Sequence, residues 1–272
     1  MSAKNENPPI TPLLRGFSFV EVLVLVAAGG GLFFLPDLAV AQWPWVIPPF
    51  NARFVGAVYL SSMVAVGMML LGRWAPARLI LPMLFTFTAM VLGMTLLKLD
   101  NFLYDRWATW GWFILYIALP VNAAYHLWLY RDLPPADPAP VPTPWRYFLI
   151  GMGIVLGIYG LAQFFAPQAV SAFWPWKIDA FHGQMYSANL VTGAVGAFVL
   201  SRAAAPIEYF ALGITYSVLG FFSILGLVVV DASVHKVNWA APGTWLWVAA
   251  FTIFLVAGLA MMWQSRALRN KA

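Results

Sequence analysis

The chain has 272 residues, of which 62% are hydrophobic and only 9% are charged, and its net charge is +5. This is more apolar surface than a soluble core of that size can bury, so the composition excludes a water-soluble domain. The basic excess does not indicate nucleic acid, because the basic residues stand singly between apolar runs. Since the chain contains no cysteine, disulfides and thiolate chemistry are excluded as well.

Eight apolar segments are long enough to cross a bilayer. About 20 mostly apolar residues are required, because each helical residue rises about 1.5 Å and the hydrocarbon layer is about 30 Å thick. The predicted spans are 17–35, 54–73, 78–98, 110–130, 147–166, 185–201, 207–230 and 244–264. The predicted fold class is therefore all-α, a polytopic membrane protein with eight transmembrane helices.

The two halves of the chain resemble each other when one is shifted by 131 residues. The shift places the Trp-Pro-Trp segment 43–45 on 174–176, and the segment 33–36 on 164–167. Because each half contains an even number of spans, both halves enter the membrane from the same side, which predicts two tandem parallel four-helix repeats. The predicted domains are a first repeat at 1–131, a Pro-rich cytoplasmic linker at 132–146 and a second repeat at 147–272.

Lysine and arginine divide unevenly between the two sides of the predicted membrane. Ten fall in one set of loops and tails, and five fall in the other. By the positive-inside rule the richer set is cytoplasmic, which predicts cytoplasmic N and C termini in a cell (inner) membrane protein. The opposite loops contain most of the tryptophans, as is typical of an aromatic belt at the outer interface.

Polar side chains inside the predicted spans are the first candidates for a site, because they are unfavourable in lipid. Glu21 in the first span and His126 in the fourth are each predicted about one turn inside the cytoplasmic boundary, where they could meet. Such a pair could bind a ligand or relay a proton, or it could simply tie two helices together. Asn122, one turn before His126, belongs to the same candidate site.

A second group of candidates lies at the predicted outer ends of the second and sixth spans. It consists of Arg53, Gln184, Tyr186, Asn189 and Thr192, with Asp100 and Asp231 at the outer ends of the third and seventh spans. The shift of 131 residues aligns Arg53 with Gln184. A buried cation at this depth could hold an anionic headgroup or a substrate carboxylate. Arg53 could equally pair with Asp100 and close its own helix bundle.

Two Asp/His pairs in the outer loops form a possible metal site. Asp179 and His182 are three residues apart, and Asp231 and His235 are four apart, so each pair falls on one side of a helical turn. Two carboxylates and two imidazoles would suit a divalent metal if the loops approached each other. Outer-loop composition explains these residues equally well, because the chain contains no established metal-binding motif.

These patterns favour a non-catalytic subunit or accessory protein that binds protein, lipid or a hydrophobic ligand through its helix faces and aromatic outer loops. A transporter or lipid-handling protein with a site between the repeats is the alternative, and a membrane enzyme using the outer Asp and His residues is a third. No residue is assigned a catalytic role, and no cofactor is indicated. The predicted partners are the lipid bilayer and either a membrane protein or a hydrophobic ligand, with no nucleic acid.

Overall fold

The computed structural model describes residues 7–136 and 141–269, and the regular elements in these ranges are helices. Eight of them have 23 or more residues: α1 (Pro12–Phe34), α3 (Pro49–Leu71), α4 (Trp74–Leu97), α5 (Trp107–Leu129), α6 (Thr143–Phe165), α8 (Ala180–Arg202), α9 (Pro206–Val234) and α10 (Pro242–Arg269). The short elements are α2 (Pro36–Gln42), α7 (Pro167–Val170) and a 3-10 helix at Leu99–Asn101.

Seven of the long helices are apolar and long enough to cross a membrane. The chain is therefore a helical, multi-pass membrane protein, as the composition predicted. The remaining long helix, α8, corresponds to the predicted span 185–201. It has the length of a span, at 23 residues, but its hydropathy is too low to place it with the other seven. Its polar residues include Ser187 and Asn189.

The long helices begin one to five residues before the predicted spans. The first span was predicted to begin at residue 17, whereas α1 begins at Pro12. Proline fits the first turn of a helix, and the Thr11 side chain accepts a hydrogen bond from the Leu14 amide, which satisfies a free helix donor. Likewise α6 begins at Thr143, four residues before the predicted start, while residues 137–140 of the predicted linker lie outside the described residues.

The helices form an inner group of four and an outer group of four. The inner helices α3, α4, α8 and α9 pack as the pairs α3–α9 and α4–α8, so each pair joins one helix from each half of the chain. The outer helices each lie on one inner partner: α1 on α3, α5 on α4, α6 on α8 and α10 on α9. Residues from both halves therefore share one hydrophobic core.

The two Trp-Pro-Trp segments make corresponding contacts across the two halves. The Trp45 indole donates a hydrogen bond to His182 Nε2 at 3.2 Å, and the Trp176 indole donates to Asn51 Oδ1 at 2.7 Å. Trp176 follows Trp45 by 131 residues, and His182 follows Asn51 by the same interval. Each half thus supplies one donor and one acceptor to the other half.

Close helix packing also recurs at this interval. A methyl group added to Gly29 would lie 3.0 Å from Tyr59 Cβ, and one added to Gly160 would lie 3.0 Å from Leu190 Cβ. These are contacts between α1 and α3 in the first half and between α6 and α8 in the second. Glycine is needed at both positions because the neighbouring backbone approaches within the space of a side chain.

A buried ion pair joins α4 to α9. Arg78 Nε lies 2.7 Å from Glu208 Oε1, and Arg78 Nη2 lies 2.6 Å from Glu208 Oε2. Arg78 Nη2 also donates to the Ala203 carbonyl, and Glu208 Oε2 accepts from the Ala205 amide. This forked geometry satisfies a carboxylate that is fully buried in the protein.

Candidate functional site

A cavity of about 720 Å³ lies within the first half of the chain and extends to the second. Helices α1 to α5 form most of its wall, and α8 and α9 close its inner side. Most of the lining side chains are apolar. Among the described residues that line it, Glu21 is the only member of the Asp, Glu, Lys, Arg and His group, so this part of the chain supplies one acidic side chain and no basic one to the cavity wall.

Glu21 enters the cavity from the buried face of α1. That face carries Leu14, Ser18, Glu21 and Leu25, which are spaced at three or four residues as one side of a helix requires. Glu21 is only 7% exposed. Glu21 does not take part in any of the ion pairs among the described residues. No Lys, Arg or His nitrogen of these residues therefore lies within 4.0 Å of the Glu21 carboxylate.

Aromatic side chains also line the cavity. The hydroxyl oxygens of Tyr59 on α3 and Tyr116 on α5 are hydrogen-bonded at 3.0 Å, and both residues line the cavity. Trp112 lies one turn before Tyr116, with 4.1 Å between the ring centroids, and Trp43 lies 5.9 Å from the Tyr59 ring. The negative faces of such rings attract cations.

The second half contributes further polar groups to the cavity wall. Asn189 and Thr192 line it from α8, and the buried Thr192 hydroxyl has no hydrogen-bond partner among the described residues. Tyr216 lines it from α9, but its hydroxyl donates to the Gly193 carbonyl at 3.0 Å. Of the ligand-site candidates from the sequence, Glu21, Asn189 and Thr192 are therefore the ones that the structure brings to one cavity.

The rim of the cavity consists of side chains on the protein surface. Leu38 on α2 is 72% exposed, and Trp107 and Ile114 on α5 are 73% and 68% exposed. The opening therefore lies between α1 and α2 on one side and α5 on the other. Of these helices, α1 and α5 are apolar and long enough to cross a membrane, and the side chains at the rim are exposed on the protein surface.

The predicted contact between Glu21 and His126 is not found in the structure. The ring of His126 donates from Nδ1 to the Asn122 carbonyl at 2.9 Å and accepts at Nε2 from the Thr11 hydroxyl at 2.7 Å. Since α1 begins at Pro12, Glu21 lies nine residues into it, whereas His126 lies three residues from the end of α5. The positions of Glu21 and His126 along the helix axes therefore differ by about 9 Å.

His126 instead holds the start of α1 against the end of α5. Tyr130, which follows the last residue of α5, accepts a hydrogen bond from the Thr11 amide at 2.9 Å. Asn122 is buried beside this contact, and both polar atoms of its side chain are without a partner among the described residues. Neither His126 nor Asn122 lines the cavity.

Arg53 and Gln184 also lie outside the cavity wall. The Arg53 guanidinium lies over the Phe33 ring, 5.7 Å from its centroid, and it forms no ion pair with Asp100. Gln184 donates to the Phe164 carbonyl at 3.1 Å, and its Oε1 is buried without a partner in the described ranges. The two aligned residues thus make different contacts.

The four candidate metal ligands do not come together. Residues 7–136 and 141–269 contain no group of three or more His, Cys, Asp or Glu that could hold a metal ion. The His182 ring donates from Nδ1 to Asp179 at 2.6 Å and accepts from the Trp45 indole, so both of its nitrogens are used. Asp231 accepts from two backbone amides and from the Trp239 indole, and His235 ends α9 in a left-handed conformation.

The electrostatic environment of Asp179 follows from its place at the start of α8. Partial burial acts to raise the pKa of its carboxyl group, but hydrogen bonds from the His182 ring and from the His182 and Phe181 amides outweigh that effect and hold the pKa below its ordinary value. The carboxylate also caps the first turn of α8, because it accepts from the His182 amide at 2.9 Å.

The sequence reasoning missed two features of the site region. Tyr59 and Tyr116 were not among the candidates, although hydroxyl groups inside two neighbouring spans are a usable signal. The ion pair of Arg78 and Glu208 was missed as well. Its signal was the acidic residue near the start of an otherwise apolar span, since such a residue requires a partner.

The fold and the cavity together define a multi-pass helical membrane protein with a largely apolar internal cavity that contains one buried carboxyl group. No protein family, curated protein or solved structure matches the chain.

Proposed function

We propose that this protein binds a lipophilic ligand inside the membrane, in the cavity between α1 and α5, and that it acts as a non-catalytic membrane component. The observation that carries the proposal is the cavity itself, whose volume of about 720 Å³ falls within the range of small-molecule sites. A mostly apolar wall with a few polar groups is the usual composition of such a site. The opening toward lipid gives a lipophilic molecule direct access.

A pair of glycine substitutions tests this proposal. Gly111 lines the cavity, and a Cβ atom added to it would meet no atom within 4 Å, so Gly111→Phe is expected to place its ring in the cavity. Gly151 has equally open space on α6 and does not line the cavity, which makes Gly151→Phe the matched control.

The measurement is the mass spectrum of organic-solvent extracts from the full chain purified in mild detergent. We expect one lipophilic species to co-purify with the unmodified protein and with Gly151→Phe, and to be largely lost from Gly111→Phe. The proposal fails if the three extracts have the same composition, or if the unmodified protein retains no species beyond bulk membrane lipid.

We further propose that the chain consists of two parallel four-helix repeats, with α8 as the eighth span. The reciprocal bonds of Trp45 and Trp176, and the matched positions of Gly29 and Gly160, support this arrangement because all follow one interval. As an inner helix covered by α6 and α4, α8 can be more polar than a helix that faces lipid. The proposed orientation has both termini in the cytoplasm of an inner-membrane protein.

Transport of the ligand is a second candidate function. It is favoured by the extent of the cavity, which reaches Asn189 and Thr192 in the second half and so approaches the boundary between the halves. Movement of ligand across proteoliposome membranes distinguishes this function from binding alone, because a carrier would release ligand on the far side whereas a binding protein would not.

A further inference from the structure

The geometry points to a lipophilic organic cation as the ligand, with its positive charge beside the Glu21 carboxylate. This inference deepens the proposed function, on which it rests, by assigning the ligand's chemical class. A lipophilic organic cation is a molecule whose apolar body carries one positive charge.

Charge complementarity is the first argument. Glu21 is the only member of the Asp, Glu, Lys, Arg and His group in the cavity wall, and no basic nitrogen of the described residues lies within 4.0 Å of it. A carboxylate in an apolar enclosure is unfavourable unless an opposite charge or a proton neutralises it. The same chain shows the satisfied alternative at Glu208, whose carboxylate is paired with Arg78. Glu21 lacks such a partner, and a ligand cation would supply it.

The aromatic side chains in the cavity wall supply the second argument. Tyr59, Trp112 and Tyr116 line the cavity, and the rings of Trp112 and Tyr116 are 4.1 Å apart. Faces of Trp and Tyr attract organic cations, and a desolvated site strengthens that attraction. An anionic ligand would instead meet one carboxylate and several electron-rich rings, with no basic side chain to bind it.

The shape of the cavity supplies the third argument. Glu21 lies nine residues into α1, while the rim side chains Leu38 and Trp107 lie near the opposite end of the cavity. The wall between them is mostly apolar. A molecule that enters from lipid therefore reaches the carboxyl group only if an apolar body accompanies its charge, which excludes small hydrated cations.

The test uses two probes of nearly equal shape and opposite charge, tetraphenylphosphonium and tetraphenylborate. Binding of each is measured by equilibrium dialysis to the full chain in phosphatidylcholine nanodiscs, with empty nanodiscs subtracted. The chain is compared with Glu21→Gln, which removes the charge and keeps the shape, and with Glu21→Asp, which keeps the charge. Asp37→Asn is the control, because Asp37 is an exposed acid on α2 that does not line the cavity.

We expect saturable binding of tetraphenylphosphonium and none of tetraphenylborate. Glu21→Gln should weaken binding of the cation roughly 30-fold, as expected for loss of one partner of a buried charge pair. Glu21→Asp should keep the preference for the cation, and Asp37→Asn should leave its affinity unchanged.

Equal binding of the two probes, an unchanged affinity in Glu21→Gln, or no saturable binding of the cation would each overturn the inference. The proposed function is judged separately. A neutral lipophilic species that is displaced by Gly111→Phe would preserve the binding function and reject only the cationic class.

Discussion

Asp179 and His182, at the start of α8, are held in place by several hydrogen bonds. Asp179 caps the helix through the His182 amide and also accepts from the His182 ring, while the same ring accepts from Trp45 in the other half. The carboxylate is thus linked through one imidazole to the opposite Trp-Pro-Trp segment. These hydrogen bonds stabilise the charged carboxylate, and the pKa of Asp179 is therefore lowered.

The charge of Asp179 should therefore contribute a pH-dependent part of the stability. Because the pKa is lower in the folded protein than in the unfolded chain, the contribution is complete above the ordinary aspartate pKa and is lost as the pH falls through the folded value. Asp179→Asn keeps a good capping residue but removes the charge and one of the two acceptor oxygens, so it can no longer accept from both the His182 amide and the His182 ring. We expect it to lower the free energy of unfolding at neutral pH by less than about 1 kcal/mol, because the side chain is more than half exposed.

Thermal unfolding in detergent between neutral and acidic pH measures this effect. The difference between Asp179→Asn and the unmodified chain should shrink as the pH falls. Asp105→Asn, which changes the same atoms at another exposed position, should show no such difference. A gap of constant size at all pH values would contradict the assignment.

At the residue scale, the sequence identified chemistry-bearing side chains but not their partners. Glu21 was selected as a buried polar residue, and its burial is confirmed. Its predicted neighbour was not found, because the depth of a residue depends on where its helix begins, and Thr11 and Pro12 move that start by five residues. Arg78 and Glu208 are 130 residues apart, so only the packing of α4 on α9 could reveal that they are paired.

Among the helices, the closest approaches are made through glycine. Gly29 on α1 leaves room for Tyr59 of α3, and Gly160 on α6 leaves room for Leu190 of α8. In lipid, helices gain little from burying apolar surface against each other, so close packing is a main source of their association.

Gly29→Ala and Gly160→Ala should each destabilise the protein by about 1 to 3 kcal/mol, the usual penalty for overpacking. An added methyl group would lie 3.1 Å from the Leu60 amide nitrogen in the first case and 3.1 Å from the Val191 amide nitrogen in the second, and backbone cannot move aside as a flexible side chain can. The measurement is the midpoint of thermal unfolding in detergent.

Gly30→Ala is the matched control for this pair. Gly30 is the next residue of α1, and a methyl group added to it meets nothing within 4 Å. We expect its unfolding temperature to equal or exceed that of the unmodified protein. Equal losses at Gly29 and Gly30 would mean that helix propensity, rather than contact between α1 and α3, determines the effect.

The helices were predicted better than the contacts between residues or the overall arrangement. Seven of the eight predicted spans correspond to long apolar helices, because the length of an apolar run is a direct consequence of bilayer thickness. The helix α8 was predicted at 185–201, but it extends from Ala180 to Arg202. Hydropathy alone is a poor guide to such a helix, since its neighbours rather than lipid surround most of its faces.

For the whole molecule, the central question is whether α8 crosses the membrane. Lys177 and Arg202 are exposed residues near its two ends. If α8 spans the bilayer in the proposed orientation, Lys177 faces outward and Arg202 faces the cytoplasm.

Single cysteines placed at these two positions test this arrangement, since the chain has no cysteine of its own. A membrane-impermeant maleimide applied to intact cells should label Lys177→Cys and leave Arg202→Cys unlabelled until the membrane is opened. Labelling of both positions would show that α8 does not span. Labelling of Arg202→Cys alone would reverse the orientation.

The overall arrangement of the molecule was only partly accessible from the sequence. The matching Trp-Pro-Trp segments indicated a repeat, and the structure adds the reciprocal bonds of Trp45 and Trp176. No pattern in the sequence predicted the cavity, because a cavity forms where side chains from several packed helices leave space unfilled. Its lining comes from helices far apart in the chain, including α1, α5 and α8.

A rim that faces lipid, as proposed, has a thermodynamic consequence for selectivity. A molecule that reaches the cavity from the bilayer has already left water, so transfer from acyl chains to an apolar protein wall yields almost no further hydrophobic gain. If the protein binds a lipophilic ligand as proposed, the bilayer is both the reservoir of ligand and the chief competitor, since its own chains can occupy the same space. Discrimination among membrane-dissolved molecules must therefore come from the few polar atoms at the deep end, and affinities are comparable only when expressed per mole of lipid.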